Sequence, residues 1–175
     1  MQRYETLLSE LKSRKSLVPP WGWKEPNTHV FLPQVLKYYP LLKYIHVIRH
    51  GCDMAFSYNQ NQLETWRSHF ISTEVKNPRN SLKLWVKANQ RILQLAESHA
   101  DSILFVRFED FCVSPESEAR KICRFIGVGV SEEKIREFSA GVRPPDSTGR
   151  FREFELSGFD KEDLNALPEF EYEAT

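Results

Sequence analysis

Two short β-branched runs, each opening into a turn and a helix signal, constrain this chain more than any other feature. Tyr44-Ile45-His46-Val47-Ile48-Arg49 follows a proline and runs straight into Gly51. Ile103-Leu104-Phe105-Val106-Arg107-Phe108 repeats the pattern and ends on acidic residues. Continuous apolar runs of this length have the form of strands buried on both faces, as in a parallel sheet. Between them, Leu82, Trp85, Val86, Asn89, Ile92, Leu93 and Ala96 recur at helical spacing, which predicts a long amphipathic helix over 80–98. Strand, helix and strand in that order predict an α/β sheet with crossover helices.

The flanking segments extend the alternation. Tyr4, Leu7, Leu8 and Leu11 predict an amphipathic helix over residues 2–14, stopped by Val18-Pro19-Pro20. Trp21-Gly22-Trp23-Lys24-Glu25-Pro26 reads as a short strand or extended loop. Thr28 can cap a helix to about Tyr39, and Asp53 one to about Gln62, with residues 63–79 forming a loop that holds one helical turn. Ser114-Pro115-Glu116 starts a helix that Gly127 ends, and Ser131 starts another to about Phe138. Arg143-Pro144-Pro145-Asp146-Ser147-Thr148-Gly149-Arg150 is a polar loop before an acidic carboxyl-terminal stretch, 153–175.

With 175 residues the chain suits a single domain that buries about 70% of its unfolded surface without covalent staples. Its 24 basic and 24 acidic residues cancel, which argues against a nucleic-acid coat or a polybasic membrane patch. The charge is unevenly placed: residues 1–100 hold fourteen Lys/Arg against seven Asp/Glu, and residues 151–175 hold two against eight. A basic body suits a local anionic ligand, and the acidic tail reads equally well as a solvated segment. Three cysteines, Cys52, Cys112 and Cys123, have no CxxC spacing, so neither a disulfide framework nor a zinc site is indicated and no metal is expected. No stretch has the length of a transmembrane helix and the first residues lack a secretory apolar region, which predicts a cytoplasmic setting.

Chemistry concentrates after the first strand. Arg49 leaves its carboxyl end, Gly51 turns the chain, and Ser57 lies eight residues beyond Arg49. Ligands of open α/β sheets gather at that edge, and an arginine fork with a hydroxyl suits phosphate oxygens. The competing reading pairs Arg49 with a nearby acid and turns Ser57 onto its own backbone.

The Arg49–Ser57 pair resembles the 3′-phosphate-binding motif of sulfotransferases, which transfer sulfuryl groups from 3′-phosphoadenosine 5′-phosphosulfate (PAPS). Three further pieces match in order: the stretch from Trp21 to Pro26 resembles a WGWKDP-type segment of bacterial and Golgi-type members, Arg107-Phe108-Glu109-Asp110 the R-[YF]-E-D strand end, and Ser147-Thr148-Gly149-Arg150-Phe151-Arg152 the S-x-G-R-W-R loop. The resemblance implies a P-loop-NTPase-like sulfotransferase fold, with a mostly parallel sheet flanked by helices. It implies that Arg49 and Ser57 hold the 3′-phosphate, that Lys24 stands beside the transferring sulfuryl group, and that Ser147, Gly149 and Arg150 close over the nucleotide. PAPS would be the co-substrate and 3′-phosphoadenosine 5′-phosphate (PAP) the product, with no metal.

Departures from the family pattern are equally plain. No glycine precedes Gly22 and no G-x-x-x-x-G-K-[ST] occurs, so the amino-terminal loop that holds the 5′-phosphosulfate is expected to be missing or degenerate. Phe108 stands where many cytosolic members have a tyrosine, and Pro144-Pro145 replaces their Arg-Lys-Gly loop. His29 lies five residues after Lys24 rather than two, which makes it a weak candidate base beside the reading of an ordinary helix-face histidine; Glu25 is weaker still. Two functional readings stay open: sulfuryl transfer to a hydroxyl or amine of a small-molecule, glycan or peptide acceptor, and a non-catalytic nucleotide-binding module. A P-loop kinase-like fragment ranks third, since neither a Walker lysine nor metal-holding carboxylates are visible.

Overall fold

Strand β1 (Tyr44–Ile48) pairs in parallel with β2 (Ile103–Arg107), in a register that sets Tyr44 opposite Ile103 and Ile48 opposite Arg107. This computed structural model describes residues 22–174. The predicted helix over 2–14 and the residue Trp21 lie outside the described residues. The described residues divide between Leu42 and Lys43 into two compact units.

In the first unit, residues 22–25 form no helix or strand, and helix α1 (Thr28–Tyr38) follows. Its cap position is Asn27, not Thr28, which is the first helical residue and is buried. Glu25 organises the entry: its carboxylate accepts from the Asn27 backbone N–H at 3.2 Å and from Asn27 Nδ2 at 2.7 Å, while its carbonyl accepts from Thr28 N. Pro33 sits well inside α1.

In the second unit, β1 leads directly into α2 (Gly51–Ala55), which is much shorter than the sequence predicts. The chain breaks at Phe56 and resumes as α3 (Asn61–Trp66), followed by a 3-10 turn at Arg67–His69. The break has a physical cause in Gln60. Its amide Nε2 donates to the carbonyls of Ser57 at 2.5 Å, Ala55 at 3.3 Å and Met54 at 3.4 Å, satisfying the helix end that would otherwise continue. Leu63, Ile71 and Leu84 form a small satellite core beneath this connection, with Phe70 packed against it.

The long helix α4 (Pro78–Ser98) begins where Asn77 caps it, its side chain accepting from Asn80 N at 2.8 Å with Pro78 in the first turn. It lies across α2 at Gly51, where an added Cβ would come within 2.9 Å of both Leu82 and Trp85. On the same face, buried His46 donates from Nε2 to Asn89 Oδ1 at 2.7 Å and accepts on Nδ1 from the Tyr44 hydroxyl at 3.0 Å. After β2 come α5 (Phe108–Val113), α6 (Pro115–Ile126), ended by left-handed Gly127, and α7 (Glu132–Ala140), capped by Ser131.

The acidic stretch is not a solvated tail. After a 3-10 turn at Arg150–Glu153, helix α8 (Lys161–Asn165) and a second 3-10 turn at Leu167–Phe170 bring Phe151, Phe159, Leu167, Phe170 and Tyr172 into the main core. There they meet Ile48, Cys52, Ala55, Leu82 and Val86. Glu171 adopts a left-handed conformation, φ 61°, which turns the chain so that Tyr172 points inward while the glutamates face out. The apolar residues were visible in this stretch, but their spacing follows short turns rather than one helix, so no period revealed them.

Candidate nucleotide site

The site is built where β1 ends. Arg49 follows the last strand residue, and its guanidinium reaches the 147–150 loop from the far end of the unit. Arg49 Nη2 donates to the Ser147 carbonyl at 2.5 Å and to Ser147 Oγ at 3.0 Å. Arg150 Nε donates to the same carbonyl at 3.2 Å. Two guanidinium groups thus converge on one backbone oxygen. Arg49 also lies over the Phe108 ring, 5.5 Å from its centroid, so the aromatic position at the end of β2 supports the arginine through its π face. Arg49 Nε and Thr148 Oγ1 are both buried without a hydrogen-bond partner.

Asp53 ties this loop to the α2 turn. Its side chain is 1% exposed, and its two oxygens accept from Gly149 N at 2.7 Å and from Phe151 N at 3.1 Å. The same carboxylate lies 3.7 Å from Arg49 Nη2, one helical turn earlier. The sequence placed Asp53 as the cap of α2. The cap is instead His50, whose Nδ1 accepts from Cys52 N at 3.2 Å. Asp53 could not be recognised from local pattern, because its partners lie nearly a hundred residues downstream.

Gly149 is required by its conformation, φ 77°, which L side chains rarely adopt. It passes the chain into the 3-10 turn that carries Arg150 and Arg152. Arg150, Ser147, Gly149 and Arg49, all predicted from the sequence, are therefore brought together. Ser57 is placed beyond α2 in the irregular segment, and its hydroxyl accepts from Asn59 N at 3.3 Å, a local backbone bond of the kind the competing reading describes. Lys24 and His29 belong to the first unit. Lys24 is exposed in the irregular segment before α1, and His29 donates from Nδ1 to the Pro26 carbonyl at 2.9 Å, which leaves the basic lone pair of that tautomer on Nε2.

Behind the site stands a second polar layer. Glu109, at the start of α5, accepts from His50 N at 2.9 Å on one oxygen and from the Tyr172 hydroxyl at 2.6 Å on the other. His50 donates from Nε2 to the Glu173 carbonyl at 2.8 Å and stacks on Phe151 with ring centroids 4.2 Å apart. Burial holds the His50 imidazole below its ordinary pKa, only partly offset by the Glu173 bond and the charges of Asp53 and Glu109. Burial, with the Asp53 charge second, pushes the Cys52 thiol up to about 12. Burial thus favours the neutral form of both the imidazole and the thiol that flank Gly51.

A separate groove of about 440 Å³ between α4 and the carboxyl-terminal turns, lined by Lys87, Gln90, Glu162 and Glu169 among others, contains none of these residues. Among the described residues no group of three or more His, Cys, Asp or Glu side chains could hold a metal ion, and no helix is long and apolar enough to cross a membrane.

Comparison with known proteins agrees with this architecture. No curated protein sequence matches the chain. Two solved structures do: the sulfotransferase domain of the olefin synthase of Synechococcus PCC 7002, at 20% identity and TM-score 0.60 over 87% of this chain, and the sulfotransferase domain of the curacin biosynthetic pathway, at 16% identity and TM-score 0.66 over 98%. The chain spans 58% of the first of these and 74% of the second, and the likeness establishes a common fold. The model of the Sulfotransferase family matches residues 2–132, three quarters of the sequence, and with it the chain belongs to the sulfotransferase family.

Proposed function

We propose that the chain binds PAPS at the carboxyl end of β1 and serves transfer of its sulfuryl group to a hydroxyl or amine acceptor. The observation that carries this reading is the convergence of Arg49 and Arg150 on the Ser147 carbonyl oxygen. Two guanidiniums aimed at a single oxygen make a locally positive pocket, and a phosphate offers several such oxygens in bidentate geometry. The unpartnered, buried Arg49 Nε and Thr148 Oγ1 fit the same ligand, since each is a polar atom with bonding capacity unspent.

In this reading Arg49 binds the 3′-phosphate together with Ser57, whose oxygen accepts from Asn59 N and whose proton can be donated to a phosphate oxygen. Ser147, Gly149 and Arg150 form the wall over the nucleotide. PAPS supplies the activated sulfuryl group when bound. Lys24 is assigned to charge that grows on the sulfuryl and leaving oxygens during transfer, a task for a fixed ammonium. His29 is assigned, as the weaker candidate, to accept the proton of the acceptor. The acceptor is a small molecule, a glycan or a peptide, and the setting is cytoplasmic.

The test is a calorimetric titration with PAP beside adenosine 5′-monophosphate, on the unsubstituted chain and on Arg49→Ala. The reading expects PAP to bind at least tenfold more tightly than the monophosphate, and Arg49→Ala to remove that difference. Equal affinity for the two nucleotides, or discrimination that survives Arg49→Ala, would refute it.

A further inference from the structure

The Arg49–Ser147 contact raises a problem that the nucleotide reading must solve. Arg49 Nη2 spends both of its donors on the loop: one bond to the Ser147 carbonyl, one to its hydroxyl. Nε is unspent, but a phosphate that engages Nη2 as well competes with the bonds that draw the loop onto the turn. If those bonds alone held it, ligand binding would release the wall meant to cover the ligand.

Asp53 resolves the conflict. Its carboxylate bonds two amides of the loop, Gly149 N and Phe151 N, and both bonds are independent of Arg49's donors. The carboxylate is 1% exposed, and burying a charge at this depth is tolerated only when its oxygens are satisfied. Two backbone N–H groups on the two oxygens, with a guanidinium at 3.7 Å, meet that need. Its anchor is rigid on both sides: α2 is packed under α4 at Gly51, and Phe151 is buried in the core against stacked His50. Between these fixed points Gly149 holds the left-handed conformation that turns the Ser147–Thr148 segment toward Arg49.

We propose that Asp53 is a positioning residue of the nucleotide site: it keeps the 147–151 loop docked on the α2 turn, so that Arg49 can hand its Ser147 bonds to a ligand phosphate without losing the loop. The Ser147 carbonyl is then a resident stand-in for a phosphate oxygen. Asp53 does not touch the ligand. Its negative charge beside Arg49 works against anion binding, so a favourable effect of Asp53 on phosphate affinity can come only through the loop. That opposition of signs makes the proposal testable. It rests on the nucleotide reading for its ligand, but not for its first measurement.

The first measurement is amide hydrogen exchange by NMR on the ligand-free full chain, comparing the unsubstituted protein with Asp53→Asn and Asp53→Ala. The amides of Gly149 and Phe151 are expected to exchange at least tenfold faster in Asp53→Ala. Asp53→Asn keeps one acceptor oxygen and should lie between. The β-strand amides of His46 and Val106 should stay within about twofold. Unchanged exchange at Gly149 and Phe151 would overturn the clamp, and so would a uniform acceleration that includes the strands, because that reports loss of stability alone. The second measurement is PAP titration of the same variants, with adenosine 5′-monophosphate as comparison. PAP affinity is expected to fall at least tenfold in Asp53→Ala, with a smaller change for the monophosphate. Tighter PAP binding would show that Asp53 acts through its charge only and would overturn the proposal. Failure of the unsubstituted chain to bind PAP would instead overturn the nucleotide reading, leaving hydrogen exchange to judge the clamp.

Discussion

Tyr172 donates its hydroxyl to Glu109 Oε2 at 2.6 Å, joining the carboxyl-terminal turn to the helix that leaves β2. The bond closes the polar layer behind Arg49, because the other Glu109 oxygen holds the His50 amide. The Arg107 guanidinium lies over the Tyr172 ring, 4.5 Å from its centroid. Removing the hydroxyl leaves a carboxylate short of a partner in a half-buried setting. Tyr172→Phe is therefore expected to cost about 1.5–3 kcal/mol, the range for a hydrogen bond to a charged group. Urea unfolding should show the midpoint falling at constant slope.

The same tyrosine predicts an alkaline limit. Burial first, and the bond and charge of Glu109 next, hold the phenol neutral well above its usual pKa. A raised folded pKa means that the stabilisation is complete below the unfolded value, about pH 10, and is lost as pH rises beyond it. Stability of the unsubstituted chain should decline above about pH 10, and the decline should be shallower in Tyr172→Phe. An identical slope in the two proteins would show that Tyr172 is not the titrating group.

His50 sets the opposite limit. Its folded pKa lies below the unfolded value because burial disfavours the imidazolium. The contribution is complete above about pH 6.5 and is lost as pH falls through the depressed folded pKa, since the unfolded chain takes up the proton first. Denaturant midpoints measured between pH 5 and 8 should fall on the acid side. His50→Gln, which removes the titration, should flatten that dependence at some cost in stability at neutral pH.

Gly51 fixes how closely α2 and α4 approach. A methyl group there meets Leu82 Cδ1 and the Trp85 ring at 2.9 Å, both packed in the core. Gly51→Ala is expected to destabilise by about 1–3 kcal/mol through overpacking, read from thermal or urea unfolding. The change should also weaken PAP binding, because α2 carries Asp53.

Gly149→Ala acts differently. Space is not the main obstacle, since the near atom is the flexible end of Arg152, but the left-handed backbone at φ 77° is. The strain is worth about 1–2 kcal/mol. Faster exchange at the Phe151 amide, with the strands unchanged, is the expected local signature.

Much of this architecture was legible because its signals are local. The apolar runs at 44–49 and 103–108, the long helical period over 80–98, Gly127 and Ser131 carry local signals, and the elements appear there, although Asn77 and Pro78 start the long helix two residues earlier than its apolar period. Arg49 stood out by its place at the end of a strand, and the Ser147–Arg150 loop only through its resemblance to a sulfotransferase segment; the structure brings the two together. Part of what escaped was set by distant partners. The role of Asp53 depends on amides that arrive with the 147–151 loop, whereas the stop after Ala55 is local, set by a Gln60 side-chain bond that no apolar period records. The carboxyl-terminal segment looked like solvated acid because its glutamates outnumber its anchors, although Phe159, Leu167, Phe170 and Tyr172 decide its course.

That last segment also governs when the molecule can assemble. His50 bonds the Glu173 carbonyl across 123 residues of sequence, and Tyr172 joins the Ile48 neighbourhood over a similar span. Contacts so remote carry a high loop-closure cost and form late. During synthesis the turn bearing Arg49 emerges long before the residues that seal it, with Ile48, Cys52 and Ala55 exposed in the interval. The turn bearing Arg49 is therefore sealed only when the 151–172 segment docks, and until then Ile48, Cys52 and Ala55 lack the partners that bury them.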